Sequence, residues 1–261
     1  MSGAGRIHPT AQVDPGARLE DGTEVGAFSI IGADVTLGPD CAIGPHVVLE
    51  GPTRMGARCR VFPFACVGTP PQDLKYRGER TTLEIGDDNV LREGVTVHRG
   101  TVGGGGVTRL GSRNLLMAQT HVAHDCRVGS DVIFANAATL AGHVTVEDGA
   151  TIGAFSGVHQ FCRVGEQAYI GGYSVITQDA LPYVLTVGNR AKSFGINVIG
   201  LERKGFAPET IQALRRAYRI LFRSKLALQA AIERLASELA GYEEVRRLVD
   251  FIHASQRGVI R

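Results

Sequence analysis

The strongest chemical signal in the chain is the run His121-Val122-Ala123-His124-Asp125-Cys126, in which a carboxylate directly follows the second histidine. Three further histidines, His98, His143 and His159, stand before and after it. An imidazole titrates near neutral pH, so it can take a proton, give one up or bind a metal. A lone histidine is most often structural or simply exposed. Five that converge on one place point to chemistry. Three chemistries fit: a metal site, which needs three or four ligands on one point, general base catalysis by one poised imidazole, or a proton-responsive interface. Which of them applies depends on how the chain positions these side chains.

The positioning element is a ladder. From Leu110, every sixth residue is large and apolar: Leu116, Val122, Val128, Phe134, Leu140, Val146, Ile152, Val158, Val164, Ile170 and Ile176. The same step of six runs earlier through Ile7, Val13, Leu19, Val25, Ile31, Leu37, Ile43, Leu49, Met55, Val61 and Val67. Small residues such as Thr120, Cys126, Ala138 and Ser156 stand two before the apolar ones, and Gly often follows. This is the hexapeptide repeat of a parallel β-helix. Three hexads make one triangular coil, and coils stack at about 4.8 Å.

Stacking predicts neighbours. Residues one coil apart lie above one another, so His124 sits below Gly142, Gly142 below Gln160, and Asp125 below His143. His159 falls two rungs above Ala123 and His98 one rung below it, once a bulge after Val97 is allowed for. All five histidines therefore gather along one edge of the prism. Gamma-class carbonic anhydrases build a zinc site on such a prism, and periodicity alone leaves the three chemistries open.

The ladder breaks at 69–82 and at 100–108, the second break holding Gly103 to Gly106. Both are predicted to be loops projecting from the scaffold, where sites tend to be built. After Ile176 the repeat stops. Pro182 to Gly205 reads as an irregular connector, and then a helical period takes over: Ile211, Leu214, Tyr218, Leu221 and Phe222, then Leu228, Ile232, Leu235 and Leu239, then Val245, Leu248, Val249 and Ile252. The predicted organisation is a β-helix over 1–190 and a small α-helical domain of about three helices over 191–261. Arg203, Lys204, Arg215, Arg216, Arg219, Arg223 and Lys225 make the start of this helical part basic, which suits an acidic partner.

The totals narrow the classes. A net charge of +2 argues against a general nucleic-acid binder. The opening Met1 to Thr10 has no apolar stretch of a signal peptide. No apolar run is long enough to span a membrane. Five cysteines without framework spacing read as free thiols in a reducing cytoplasm.

Several motifs resemble those of the UDP-N-acetylglucosamine 3-O-acyltransferase family of lipid A biosynthesis. They are Asn114-Leu115-Leu116-Met117 with the histidine run after it, Gln72-Asp73-Leu74-Lys75-Tyr76, Val97-His98-Arg99-Gly100-Thr101, Leu140-Ala141-Gly142-His143-Val144, Val158-His159-Gln160-Phe161, Phe194-Gly195-Ile196-Asn197, Arg203-Lys204-Gly205-Phe206 and the closing Arg257-Gly258-Val259-Ile260-Arg261. They span essentially the whole chain. The resemblance implies an all-β, left-handed parallel β-helix followed by a small C-terminal α-helical domain, assembled as a homotrimer with active sites between prisms. It implies transfer of an (R)-3-hydroxyacyl chain from acyl carrier protein to the 3-hydroxyl of UDP-N-acetylglucosamine in the cytoplasm, with no metal or other cofactor. It makes His124 the general base, Asp125 its support and Gly142 the oxyanion donor. It gives substrate-binding roles to Asp73, Lys75, His98, His121, His143, His159, Gln160, Gly172, Asn197 and Arg203, with His98 on the acyl path and Gly172 tuning acyl length. Arg190 departs from the pattern, where His is expected. The related N-acyltransferase that acts on the glucosamine amine is the nearest alternative, although it usually carries an extra N-terminal domain. The zinc anhydrase and a non-catalytic scaffold are the more distant ones.

Overall fold

A computed structural model of the chain describes residues 6–261. Strands of two to five residues form three long sheets, of nine, eight and ten strands, one for each side of a triangular prism. Successive strands rotate from sheet to sheet, so each pairs in parallel with the strand one coil on. Gln12–Val13 lies against Ile30–Ile31, and Thr139–Leu140 against Gly157–Val158. The hexad apolar residues point inward: Leu116, Val122, Phe134, Leu140, Ile152 and Ile170 are fully buried in one core that runs along the prism. Burying each contributes on the order of 1.5–3 kcal/mol, so stability is spread over many coils. Cys41, Cys59, Cys126 and Cys162 are buried free thiols filling the small slot of the hexad.

The corners explain two features of the sequence. The first corner residue offers its N–H to no ladder partner, and proline is tolerated there: Pro9, Pro15, Pro39, Pro45, Pro63 and Pro182 all occupy it. The second corner residue is left-handed, with φ near +60° at Asp34, Asp40, Asp88, Asp125, Asp131 and His143. Aspartate accepts this conformation more readily than most residues.

Both insertions leave the same corner, between the nine-stranded and eight-stranded sheets. The first lies between strands Cys66–Thr69 and Thr82–Ile85, and the second between Thr96–His98 and Val107–Leu110. The first predicted loop thus gives up Thr69 and Thr82 to the flanking strands; the second gives up Val107 and Thr108 but begins earlier, at Arg99. The next coil carries His121–Val122 and then His124 and Asp125 at that corner. The register Thr96↔His121 absorbs the bulge after Val97.

Beyond Ile176 the connector is more regular than its sequence suggests. Val184–Val187 extends the ten-stranded sheet, and Lys192–Ile196 folds back on it as an antiparallel strand past residue 190. Four helices follow among the described residues: α1 (Val198–Arg203), α2 (Pro208–Arg223), α3 (Leu228–Glu238) and α4 (Glu243–His253). The short α1 is too brief to leave a helical period in the sequence. The Tyr218 hydroxyl donates to the Ser193 carbonyl, tying α2 to the last strand. Arg163 lies over the ring of Phe251, tying α4 to the eight-stranded sheet. The C-terminal tail returns to bury Ile260 in the prism core.

Candidate active site

His124 occupies the first position of the corner above the two insertions, and Asp125 the second. The Asp125 side chain is fully buried, whereas that of His124 keeps 14% of its surface exposed. His124 Nδ1 lies 2.8 Å from Asp125 Oδ2. The second insertion holds the same carboxylate. The Thr101 N–H donates to Oδ1 at 2.8 Å, and the Thr101 hydroxyl to Oδ2 at 2.6 Å. The Asp125 N–H in turn donates to Thr108 Oγ1 at 2.8 Å. Thr101 donates to both carboxylate oxygens and His124 Nδ1 faces Oδ2, an arrangement in which His124 donates from Nδ1 and presents Nε2 as the basic nitrogen.

Gly142 stands one coil above, as the stacking predicts: the His143 N–H donates to the His124 carbonyl, and the Phe161 N–H to the Gly142 carbonyl. A Cβ at residue 142 would fall 2.5 Å from His124 Cε1 and 2.8 Å from Nε2. Only glycine lets the imidazole lie here. As a first corner residue, Gly142 has no backbone acceptor for its N–H among the described residues. A free donor beside the base is what a developing oxyanion requires.

Around this pair, His143 packs edge-on to His124 with ring centroids 5.2 Å apart, and stacks on Phe161 at 4.4 Å. Burial lowers the pKa of His143, partly offset by the nearby Asp125 carboxylate. His98 and His121 meet edge to face at 4.9 Å. Burial pushes His98 down to about 4, helped by the neighbouring His121 and His124. Burial also lowers His121, whose Nδ1 lies 2.7 Å from the Thr96 hydroxyl. Burial thus favours the neutral imidazole at His98, His121 and His143, which suits a hydrogen-bonding surface around the base.

The first insertion closes over one side. Asp73, Lys75, Tyr76 and Glu79 join Thr101, His143 and Phe161 around a cleft of about 300 Å³. The Asp73 carboxylate accepts the Lys75 N–H at 2.9 Å and so shapes this loop. His159 and Gln160 stand exposed at the same corner one coil above Gly142, with His159 Nδ1 3.2 Å from the Gln160 carbonyl. Gly172 lies at a different corner, where an added Cβ would come 3.3 Å from the Ala154 carbonyl oxygen. Asn197 caps α1 and donates to the Gln167 carbonyl, while Arg203 ends that helix. Both line a separate groove of about 550 Å³ on the ten-stranded sheet, away from the His124 corner of the same chain. Sequence reasoning missed Arg99, Thr101 and Thr108. Their roles arise from contacts across the insertions, for which periodicity leaves no signal.

His124, Asp125 and His143 could present one ligand atom each to a metal within 4.8 Å. Asp125 Oδ2 already meets the Thr101 hydroxyl and His124 Nδ1, and a metal at that oxygen would have to displace those bonds, whereas Oδ1 accepts only the Thr101 N–H among the described residues.

Residues 179–260 match the family described as UDP N-acetylglucosamine O-acyltransferase, domain 2. Residues 16–51 and 143–178 match the bacterial transferase hexapeptide family. The acyl-(acyl-carrier-protein)–UDP-N-acetylglucosamine O-acyltransferase of Alkalilimnicola ehrlichii is 55% identical over 200 residues, 76% of this chain and 77% of that protein. The chain belongs to the UDP-N-acetylglucosamine O-acyltransferase family. A second member, from Myxococcus xanthus, is 54% identical over 211 residues, 81% of this chain and 82% of its own. The solved LpxA of Acinetobacter baumannii superposes with a TM-score of 0.94 at 46% identity, covering 98% of this chain and 99% of that one. This O-acyltransferase membership favours transfer to an alcohol over the N-acyltransferase, zinc anhydrase and scaffold readings. Among the described residues, no helix is long and apolar enough to cross a membrane.

Proposed function

We infer that the chain moves an (R)-3-hydroxyacyl group from acyl carrier protein to the 3-hydroxyl of UDP-N-acetylglucosamine, the first step of lipid A biosynthesis. The observation that carries this reading is the Nε2 of His124 beside the Gly142 N–H, which has no acceptor among the described residues, with Nδ1 anchored on a buried carboxylate. In this reading His124 Nε2 takes the proton of the sugar hydroxyl. The oxygen attacks the thioester carbonyl, and the Gly142 N–H stabilises the tetrahedral oxyanion. As the intermediate collapses, the carbon–sulfur bond breaks and the imidazolium returns its proton to the departing thiolate. An ester replaces a thioester, and the carrier leaves with a free thiol. No cofactor is needed, because a thioester is already activated.

In this reading Asp73, Lys75, His121, His143, His159 and Gln160 line the nucleotide-sugar path and His98 lies beside the acyl path, while Gly172, at a different corner of the prism, bounds the acyl path of a neighbouring chain's site. Asn197 and Arg203 serve the site of a neighbouring chain in a homotrimer. Two things support this: their distance from His124 within one chain, and the apolar side chains Phe28, Phe64, Phe155 and Tyr173 exposed along the prism. The exposed basic residues Arg215, Arg216, Arg219, Arg223 and Lys225 on and after α2 suit an acidic acyl carrier protein. Five unpaired cysteines fit a reducing cytoplasm. The test is a transfer assay with carriers loaded with hydroxyacyl chains of several lengths, offered UDP-N-acetylglucosamine or its 3-amino analogue. A mass increase on the nucleotide sugar equal to one hydroxyacyl group supports the reading. No product with any chain length refutes it.

A further inference from the structure

We propose that Thr101, on the second insertion, is a positioning residue that fixes both the tautomer and the aim of His124. The proposal rests on the catalytic reading of His124. Three observations carry it. First, Thr101 clamps both oxygens of Asp125, one with its N–H and the other with its hydroxyl. Second, the direction of the hydroxyl bond is set. Thr101 Oγ1 accepts the Gly104 N–H at 3.2 Å, so its own proton is turned toward Asp125 Oδ2. Third, the short 3-10 turn Val102–Gly104, which Thr101 caps, presses on the carboxylate: a Cβ at Gly104 would fall 2.0 Å from Asp125 Cγ.

The consequence is a single arrangement. Oδ2 accepts from Thr101 and has one further direction open, which His124 Nδ1 fills. Rotation of the carboxylate is blocked by the Thr101 N–H on Oδ1, and rotation of the Asp125 backbone by Thr108. Without the hydroxyl, Oδ2 carries more unshared charge, and only the Thr101 N–H on Oδ1 still resists turning of the carboxylate. The imidazolium then becomes easier to form, while the neutral ring is held in its productive orientation for less of the time. The other titratable groups facing His124 are His121 on its own coil, His98 on the coil below and His143 on the coil above, with Asp73 of the first insertion facing His143. None of them contacts the Thr101 hydroxyl.

The test is steady-state kinetics across pH on the full-length chain, with Thr101→Val and Thr101→Ser. The valine variant keeps the shape and the N–H but loses the hydroxyl. It is expected to lower kcat by about tenfold, the effect of one hydrogen bond to a charged group, with KM for the sugar nucleotide nearly unchanged. The acidic limb of kcat/KM is expected to move to higher pH, and serine to restore both. Gly104→Ala, which pushes the carboxylate from the other side, is expected to lower kcat in the same way and guards against a misfolded valine variant. Wild-type kcat in either of these two variants, a fall in kcat with an unmoved acidic limb, or a serine variant no better than valine would overturn the proposal. A wild-type enzyme that transfers nothing would instead strike at the functional reading, which separates the two failures.

Discussion

Arg99 and Tyr76 join the two insertions: the Arg99 guanidinium donates from Nη2 to the Tyr76 hydroxyl at 3.2 Å. From Nη1 it also donates to the Gly51 and Gly68 carbonyls, the latter at 2.9 Å. Arg99 is only 8% exposed. A buried cation from the second insertion thus anchors the first, which carries Asp73 and Lys75 over the cleft.

Arg99→Met is therefore expected to loosen the 70–81 loop. Loss of a buried charge with three acceptors should cost about 2–4 kcal/mol of stability, because the carbonyls it served are left unpaired. The check is limited trypsin digestion, reading cleavage after Lys75 and Arg77. Faster cutting there, with a raised KM for the sugar nucleotide, is the expected result. Tyr76→Phe, which removes one neutral partner, should have a much smaller effect.

Stability should fall on the acid side because of the histidine edge. Folded His98 is held near 4, against an ordinary value of 6.5, chiefly by burial. The unfolded chain therefore takes up a proton at His98 before the folded one does. Stability is full above about pH 6.5 and is lost as pH falls toward 4, by up to about 3 kcal/mol from this residue. His121 and His143, also lowered by burial, add to the same trend. Urea unfolding of the wild type and of His98→Asn at pH 7 and pH 4.5 measures it. The variant should lose clearly less between the two pH values, and equal losses would remove His98 from the explanation.

At Gly142 the smallest possible addition should be enough to stop the chemistry. An alanine methyl would meet the His124 ring at 2.5–2.8 Å. The ring must then move off its line to the substrate and to the Gly142 N–H. Gly142→Ala should lower kcat by about 10²-fold or more, the scale of losing an oxyanion donor. Because the clash is with one ring that still reaches solvent, the melting temperature should change little. Parallel assays of transfer rate and thermal unfolding test the contrast.

Much of this was legible in the sequence. The hexad ladder fixed which side chains face the core, and the coil spacing correctly set His124 under Gly142 and Asp125 under His143. The length of the break after Val97 yielded the Thr96↔His121 register. What the ladder could not convey lies where the chain leaves it. Thr101 and Arg99 act only once the insertions fold back, and nothing local in their spacing encodes a partner on another coil. The strands Val184–Val187 and Lys192–Ile196 were missed for a related reason. They alternate weakly and are interrupted by Gly188 and Arg190, both with positive φ. Asn197 and Arg203 matched the family pattern, but only the structure puts them on a different side of the prism from His124.

The central claim is that His124 accepts the proton of the attacking hydroxyl. The most direct measurement is the rate of hydroxyacyl transfer from carrier protein to UDP-N-acetylglucosamine by His124→Ala at neutral pH, beside the wild type. A loss of about 10²–10⁴-fold, the range of a general base, is the predicted result. A rate within a few-fold of wild type would contradict it.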